Sequence, residues 1–281
     1  MKSKISNTVT YIMLLFLAIV VLFPLIYVFS GSLKTNMELM AHPDKLFPME
    51  PTLKNYVEIF TSDSMNIGRM FLNSVYYSVV NVIASVVFSL MAAYAFARGE
   101  FPGKNILYAV FMGMMFINLG GITTYPLFEL LGLFHINVSL NGLLLVKIFS
   151  IHATFIILIR SYIKGIPKEL DEAAKIDGCG TIRILFTIIA PLLKTIIATV
   201  IILAFQNSWN EYVMPQIFTG SMPNQRTLTV GLVSLKNSGV GAASNSVLLA
   251  GACVSIIPVL TVYCFFNKYF VSGLSAGAVK G

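Results

Sequence analysis

Long apolar stretches recur along this chain and determine the solvent in which it folds. The sequence predicts six of them: 9–29, 74–97, 106–131, 140–159, 184–205 and 247–266. Each covers about twenty residues, the length an α-helix needs to cross the hydrocarbon of a bilayer. With 57% hydrophobic and only 11% charged residues, the 281-residue chain is more apolar than a water-soluble core requires. We therefore expect an all-α membrane protein, with six transmembrane helices in a single transmembrane domain over residues 1–281.

The third span, 106–131, is the least regular, because three glycines and Pro126 interrupt it. Such breaks are tolerated in a membrane where neighbouring helices satisfy the freed backbone groups. Pro191 and Pro258 remove backbone donors within the fifth and sixth spans, so both helices are expected to kink. Outside the spans, a short amphipathic helix is expected over residues 53–60, whereas the stretch after the fifth span is rich in Gly, Asn and Ser.

Basic residues divide unequally between the two sides of this six-span arrangement. Twelve lysines and arginines fall on the side of the termini and six on the other, which leaves Lys147 alone within a span. Because cytoplasmic loops carry the excess of positive charge, both termini are expected to be cytoplasmic. This bias accounts for the formal net charge of +7, and no basic run interleaved with aromatics indicates nucleic-acid binding. The three cysteines and three histidines are too dispersed to predict a disulfide or a metal site.

The loop before the fifth span concentrates four acidic residues between positions 169 and 177. Pro167 suits a first helical position, and the acidic residues after it favour the positive end of a helix dipole. Gly178 can supply a left-handed stop, and Asp171 is spaced to pair with Lys175 four residues later. We expect a short helix along the membrane surface, with a face of small side chains that another protein could approach closely. The same spacing fits an ordinary solvated loop helix equally well.

This loop resembles a known docking signature. The EAA signature of ATP-binding-cassette importer permeases, E-A-A-x3-G-x9-I-x-L-P, is matched by Glu172, Ala173, Ala174, Gly178, Ile188 and Pro191, with Ala190 where leucine is usual. The resemblance implies a coupling helix, in the loop at about 164–182, that docks into a cleft of a cytoplasmic ATPase dimer. The residues it assigns to ATPase coupling are Glu172, Ala173, Ala174, Asp177, Gly178 and Pro191.

Three further segments, AYAFARGEFPGK, FQNSWNEYVMPQIF and GLSAGAVKG, are similar to the maltose-type carbohydrate permeases. This resemblance implies the permease subunit of an ATP-driven, binding-protein-dependent importer for sugars, chiefly oligosaccharides, that works by alternating access. The implied partners are the ATPase dimer, a second homologous permease subunit, an extracellular or periplasmic solute-binding protein and membrane lipid. ATP and Mg would then be bound in the partner ATPase, so this chain would bind no cofactor and would not be an enzyme.

The same resemblance implies a multi-pass protein of the cytoplasmic (inner) membrane of a prokaryotic cell. It also offers two roles for the C-terminal tail, about 268–281. The tail either reaches between the ATPase subunits or is a flexible end, since its glycines fit both roles.

A sugar route needs polar groups and aromatic faces inside otherwise apolar spans, because hydroxyls are held by hydrogen bonds while CH faces stack on rings. The candidates near mid-span or near the outer mouth are Asn81, Asn118, Tyr125, His152, Asn207, Trp209, Asn210, Glu211 and Tyr212. Many intramembrane Asn residues bridge helices instead. Trp209, the single tryptophan, also lies where an aromatic belt would place it.

Lys147 and His152 are costly to place in lipid and are expected to face an interior, a cavity or a partner. Lys147 either snorkels, pairs with a carboxylate of the second subunit or attracts an acidic sugar. Two other functions stay open. An ion-gradient-driven transporter would use Lys147 and His152 as its ionisable groups, and an ATP-driven importer of a non-sugar solute would carry the same docking signature.

Overall fold

The computed structural model of the chain describes residues 2–62, 66–116, 124–150, 152–237 and 244–278, and the side-chain surroundings of 7–62, 66–116, 126–150, 152–237 and 244–269. Every regular element within these ranges is a helix. The α-helices are, in chain order, α1 Lys2–Ser32, α2 Asn36–Ala41, α3 Lys54–Thr61, α4 Ile67–Arg98, α5 Lys104–Met114, α6 Thr124–Leu133, α7 Leu140–Ile148, α8 Ala153–Ile163, α9 Glu169–Ile176, α10 Thr181–Arg183, α11 Ala190–Leu192, α12 Lys194–Trp209, α13 Val213–Thr219, α14 Leu228–Asn237 and α15 Asn245–Ala278. A π-helix, Ile184–Ile189, and a 3-10 helix, Pro223–Gln225, lie between them.

Four helical segments in the described part of the chain are long and apolar enough to cross a membrane, and a fifth is obtained if one bent pair counts as one span. The segments are Asn7–Ser32, Ile67–Arg98, Leu140–Ile163 and Asn245–Tyr269, and the bent pair is Thr181–Leu192 with Lys194–Trp209. They overlap five of the predicted spans and confirm an all-α membrane fold. The other predicted span, 106–131, falls on α5 and α6 with residues 117–123 outside the described ranges, so the count of six stays a prediction.

The fifth span bends by 89° at Leu193. Pro191 lies next to the bend, and because it has no N–H, the helix loses a hydrogen bond there and the adjoining turns must adjust. The π-helix Ile184–Ile189 directly precedes this region, which is consistent with a locally rearranged helical ladder. The predicted kink at Pro191 is confirmed. Pro258, by contrast, lies inside α15, whose helix continues on both sides of it.

The chain divides into two compact units, Met1–Phe71 with Leu228–Pro258 and Leu72–Thr227 with Val259–Gly281. The single domain expected over residues 1–281 stays a prediction. In the first unit, α3 confirms the predicted amphipathic helix, since it buries Asn55 and Ile59 one turn apart. The Asn55 amide donates to the carbonyls of Ser32 and Lys34 at 2.7 Å each. A Cβ on Gly251 would come within 2.8 Å of Ile59, so glycine permits this close helix packing.

The second unit carries the two polar features described below. Its larger core joins α4, α8, α9, the π-helix and α12, and it contains Leu90, Ala93, Phe96, Ile156, Ile159, Ile163, Ala174, Ile184, Ile189, Ile196 and Val200. A smaller core contains Tyr77, Leu131, Leu140, Leu143, Leu144 and Phe218. Helix α13, in the glycine- and asparagine-rich stretch after the fifth span, contributes Phe218 to this core.

Candidate coupling helix and polar cavity

Helix α9 is the short helix expected before the fifth span. Its first turn holds three acidic residues, where the helix dipole favours negative charge. The helix begins at Glu169 with Lys168 at the N-cap, so Pro167 lies before the helix rather than at its first position.

The end of α9 is a Schellman motif. Gly178 has a φ of +78°, in the left-handed region that glycine adopts without strain. Its N–H donates to the carbonyl of Lys175 at 3.0 Å, and the N–H of Cys179 donates to the carbonyl of Ala174 at 2.9 Å. The left-handed stop predicted at Gly178 is confirmed.

A buried ion pair ties α9 to the end of α4. Arg98 Nε donates to Asp171 Oδ2 at 3.0 Å, and the two side chains are 10% and 6% exposed. The Tyr94 hydroxyl donates to Asp171 Oδ1 at 2.6 Å, while Arg98 Nη2 donates to the carbonyl of Ile166 at 2.7 Å. Both carboxylate oxygens are thus satisfied, as a buried charge requires. The prediction that Asp171 pairs with Lys175 is wrong, because Asp171 points into the unit whereas Lys175 is exposed.

The two alanines of the EAA signature lie on different faces of α9. Ala174 is 5% exposed and packs in the larger core of its own unit. Ala173 and Glu172 are exposed, and the Ile176 side chain is 87% exposed. An exposed isoleucine beside a small residue and a carboxylate is a surface on which another protein can bury apolar area. The outward face of α9 therefore combines Glu172, Ala173 and Ile176.

A groove of about 640 Å³ runs beside this face. Its walls include Tyr94, Arg98, Lys168, Glu172, Lys175 and Ile182. The groove joins the outward face of α9 to the ion pair that holds the helix.

The second polar feature is a partly open cavity of about 620 Å³ lined by α4, α7, α12, the N-cap of α8 and the segment just after α12. Its lining residues are Asn81, Ser85, Lys147, His152, Ala204, Asn207, Ser208 and Glu211. This volume lies within the range of pockets that hold small molecules. No group of His, Cys, Asp and Glu side chains in the described ranges has the arrangement of a metal site.

One wall of the cavity is a charged network. Lys147 Nζ donates to Glu211 Oε1 at 2.6 Å, and the Tyr77 hydroxyl donates to Glu211 Oε2 at 2.6 Å. The Lys147 and Glu211 side chains are 21% and 19% exposed. Lys147 thus pairs with a carboxylate of its own chain, where the sequence had left a carboxylate of a second subunit open.

Two further polar atoms among the residues that line the cavity have no protein partner in the described part of the chain. Asn81 Nδ2 donates to Ser208 Oγ at 2.7 Å, and the Ser208 hydroxyl donates to the carbonyl of Ala204 at 2.8 Å. Asn81 Oδ1 and His152 Nε2 are buried and have no hydrogen-bond partner among the described residues. Buried polar atoms are rarely left unpaired in proteins, so their position at a cavity indicates a polar ligand or water.

Four of the predicted pathway residues meet at this cavity: Asn81, His152, Asn207 and Glu211. Trp209 is 3% exposed and stacks on Phe205 with ring centroids 5.5 Å apart, so it is a core residue rather than part of an aromatic belt. Asn210 and Tyr212 lie just beyond α12 and do not line this cavity. Asn118 and the side chain of Tyr125 lie outside the described residues.

The sequence prediction missed Tyr77, Ser85 and Ser208, whereas Lys147 was expected at an interior, a cavity or a partner and lines the cavity. A signal for the first two was present, because Tyr77, Asn81 and Ser85 are spaced four residues apart and so share one face of α4. Ala204 and Ser208 are spaced four residues apart on α12 in the same way, and Glu211 follows just after the end of that helix.

Comparison with known proteins gives a consistent result along the chain. The family described as binding-protein-dependent transport system inner membrane component matches residues 104–275. The chain is 34% identical to the arabinooligosaccharides transport system permease protein AraQ of Halalkalibacterium halodurans, with 100% of both chains covered. It is 32% identical to the galactooligosaccharides transport system permease protein GanQ of Bacillus subtilis, covering 97% of this chain and 95% of that one. A solved bacterial ABC transporter involved in the import of the acidic polysaccharide alginate is similar with a TM-score of 0.79 at 25% identity, covering 96% of this chain and 98% of that chain.

Proposed function

We propose that this chain, which belongs to the family of binding-protein-dependent transport system inner membrane components, imports oligosaccharides by alternating access. It is a sugar permease subunit of an ABC importer and a multi-pass membrane protein, and it is not an enzyme. The family implies a separate ATPase subunit and a solute-binding protein as partners. Oligosaccharides are the proposed cargo because the relatives AraQ and GanQ are named for arabino- and galactooligosaccharides.

The proposed coupling mechanism rests on the way in which α9 is attached to α4. Its outward face, Glu172, Ala173 and Ile176, is free to enter a cleft of the ATPase, while its inward face is fixed by the Asp171–Arg98 ion pair. A helix attached only through solvated side chains would move alone when the ATPase displaces it, and its neighbours would not follow. A helix held by a buried ion pair moves as one body with the helix to which it is tied.

The α4 helix then carries the displacement to the cavity. Ser85 precedes Arg98 by 13 residues, which is about 20 Å of helix at 1.5 Å per residue. Ala174 packs in the same core as the π-helix, which leads through the bend at Leu193 into α12 and Asn207. Movement of α9 therefore reaches two walls of the cavity, which is what a change between outward-open and inward-open states requires.

We assign the solute pathway of this subunit to Asn81, His152, Asn207 and Glu211. Their amide, imidazole and carboxylate groups provide the donors and acceptors that a hydroxyl-rich solute needs. Asn210 and Tyr212, just after α12, and Asn118 and Tyr125 are further pathway residues that we propose from the sequence, whereas the buried Trp209 packs in the core.

We further propose a second, homologous permease subunit and an ATPase dimer that binds ATP and Mg. The protein would lie in the cytoplasmic membrane of a prokaryotic cell with both termini inside. The distribution of basic residues supports this orientation, because twelve of them fall on the side of the termini and α9. The tail at about 268–281 would reach toward the ATPase subunits.

The test is ATP-driven uptake by the assembled transporter in proteoliposomes. Glu172→Lys reverses the charge on the outward face of α9, and we expect loss of ATPase co-purification or of ATP-driven uptake of arabinotriose or galactotriose. Glu58→Lys is the matched control, because it reverses an exposed carboxylate on α3 in the other unit. Full coupling in Glu172→Lys would contradict the docking role. Uptake that needs an ion gradient and no ATP would contradict the proposed function as a whole.

A further inference from the structure

We propose that the polar cavity selects uncharged carbohydrates and excludes uronates, with Glu211 as the residue that sets this selectivity. The proposal rests on the function proposed above and names the chemical class of solute for the same site. It concerns the Lys147–Glu211 pair, of which the proposed pathway uses only Glu211, as a hydrogen-bonding group.

The first argument is the charge of the cavity. Of its eight lining residues in the described part of the chain, Lys147 and Glu211 are the two that carry a full charge at neutral pH. Their contact of 2.6 Å makes them a pair of opposite sign, so the wall has no net charge to offer an anion. A lysine alone in this position would attract a carboxylate, whereas a lysine bound to Glu211 does not.

The second argument is that Glu211 is firmly held. One of its oxygens accepts from Lys147 and the other from the Tyr77 hydroxyl, each at 2.6 Å. A sugar carboxylate on the same ammonium would lie beside the Glu211 carboxylate, and the two like charges repel. Displacing Glu211 would instead leave that carboxylate partly buried without its partner, which is strongly unfavourable. A sugar hydroxyl meets no such barrier, because the ammonium has three donors and one is sufficient for Glu211.

The third argument is the chemistry of the unpaired atoms. Ser208 gives its hydroxyl proton to the carbonyl of Ala204, so it accepts from the Asn81 NH₂ group and fixes the amide orientation. The remaining atom, Asn81 Oδ1, can only accept a hydrogen bond. A sugar hydroxyl provides the required donor, whereas an ionised carboxylate has none and would repel the amide oxygen. The fold alone does not set the charge class of the solute, since a similar solved transporter involved in the import of the acidic polysaccharide alginate shares it.

The experiment measures binding to the purified complete transporter, with its ATPase subunits and without the binding protein, which would otherwise select the sugar first. Isothermal titration calorimetry compares arabinotriose and galactotriose with trigalacturonate, which replaces each hydroxymethyl group of galactotriose by a carboxylate. For the wild type we expect one of the neutral trisaccharides to bind at least about tenfold more tightly than trigalacturonate. For Glu211→Gln, which leaves Lys147 unpaired, we expect trigalacturonate binding to tighten about tenfold and to weaken again with added salt.

Two variants separate charge from structure. The double variant Lys147→Gln with Glu211→Gln removes both charges and should again exclude trigalacturonate. Tyr77→Phe removes a hydrogen bond to Glu211 without changing the charge, so the preference for the neutral sugar should persist. Co-purification of the ATPase subunits and a single cooperative unfolding transition show that a variant is folded and assembled.

The proposal is overturned if the wild type binds trigalacturonate at least as tightly as both neutral sugars. It is also overturned if Glu211→Gln leaves the ratio of the affinities for the neutral sugar and trigalacturonate unchanged, or if none of the three sugars binds. ATP-driven uptake is measured in parallel. Intact uptake of a neutral sugar with the wrong binding ratio rejects this inference alone, whereas absent ATP-driven uptake rejects the proposed function.

Discussion

Helix α4 takes part in two networks, each of a tyrosine, a cation and a carboxylate, that have different roles. Near its end, Tyr94 and Arg98 hold Asp171, and nearer its start Tyr77 holds Glu211 together with Lys147. In each network a carboxylate from a distant segment accepts from a tyrosine on one oxygen and from a cation on the other.

The two networks differ in what the cation does with its other donors. Arg98 also donates to the carbonyl of Ile166 and is 10% exposed, so its network is closed by the protein. Lys147 is 21% exposed and borders the cavity, so its remaining donors are available to a ligand. A planar guanidinium can serve two acceptors in fixed directions, whereas an ammonium is a point charge that can share its donors with a mobile partner. The closed network suits transmission of movement, and the open one suits contact with the solute.

The largest expected effect comes from breaking the closed network with Asp171→Asn. This change leaves the Arg98 charge buried without a carboxylate, which costs about 3 to 5 kcal/mol in the free energy of unfolding. We expect a large drop in the unfolding temperature of the detergent-solubilised complex and loss of ATP-coupled uptake. An unfolding temperature equal to that of the wild type would mean that α9 is held by its apolar contacts alone.

Glu211→Gln makes the corresponding change in the open network and should destabilise less. Lys147 can then be solvated through the cavity, so the expected loss is about 1 to 2 kcal/mol. The same unfolding measurement, made side by side with Asp171→Asn, shows which of the two variants is the more destabilised. If Glu211→Gln were the more destabilising, the distinction between a structural and a solute-facing network would be wrong.

Gly178→Ala acts on α9 without touching either network. Gly178 has a φ of +78°, and no atom lies within 4 Å of the position that a new Cβ would take. Alanine there therefore introduces backbone strain without a clash, and we expect the free energy of unfolding to fall by about 1 to 2 kcal/mol. Gly180→Ala is the control, because Gly180 has a φ of −71° and equally open surroundings. We expect a modestly lower unfolding temperature for Gly178→Ala than for Gly180→Ala, and equal values would reject the strain argument.

Ile176→Ser should have the smallest effect on stability, because the side chain is 87% exposed. Its unfolding temperature should match the wild type, while the affinity for the ATPase subunits falls severalfold as buried apolar area is lost. Ala174→Ser at the buried face of α9 provides the opposite pattern, with reduced stability of the permease. Pull-down of the ATPase with both variants distinguishes the contribution of α9 to ATPase binding from its packing within the permease. Undiminished ATPase binding by Ile176→Ser would show that Ile176 is not part of the interface.

Local and periodic features of the fold followed from the sequence. The spans at 9–29 and 74–97 rest on hydropathy alone, since the bilayer requires each run of about twenty residues to satisfy its own backbone as a helix. The stop at Gly178 is equally local, because only glycine adopts a positive φ without strain and the motif closes within six residues. Pro191 marked the bend for a similar reason, since a missing N–H acts within one helical turn.

The partners of the charged residues did not follow, because they are set by contacts between segments far apart in the chain. Asp171 has Lys175 four residues away in sequence, yet it pairs with Arg98, 73 residues away, because packing turns it inward toward α4. In the same way Lys147 finds Glu211 64 residues away, and Trp209 becomes a core residue by stacking within its unit. The sequence by itself determined that this chain forms membrane helices and presents a short acidic helix, since these depend on backbone satisfaction and local geometry. Only the tertiary structure decided which charges are neutralised and which polar atoms face the cavity, since helix packing alone brings those groups within hydrogen-bonding distance.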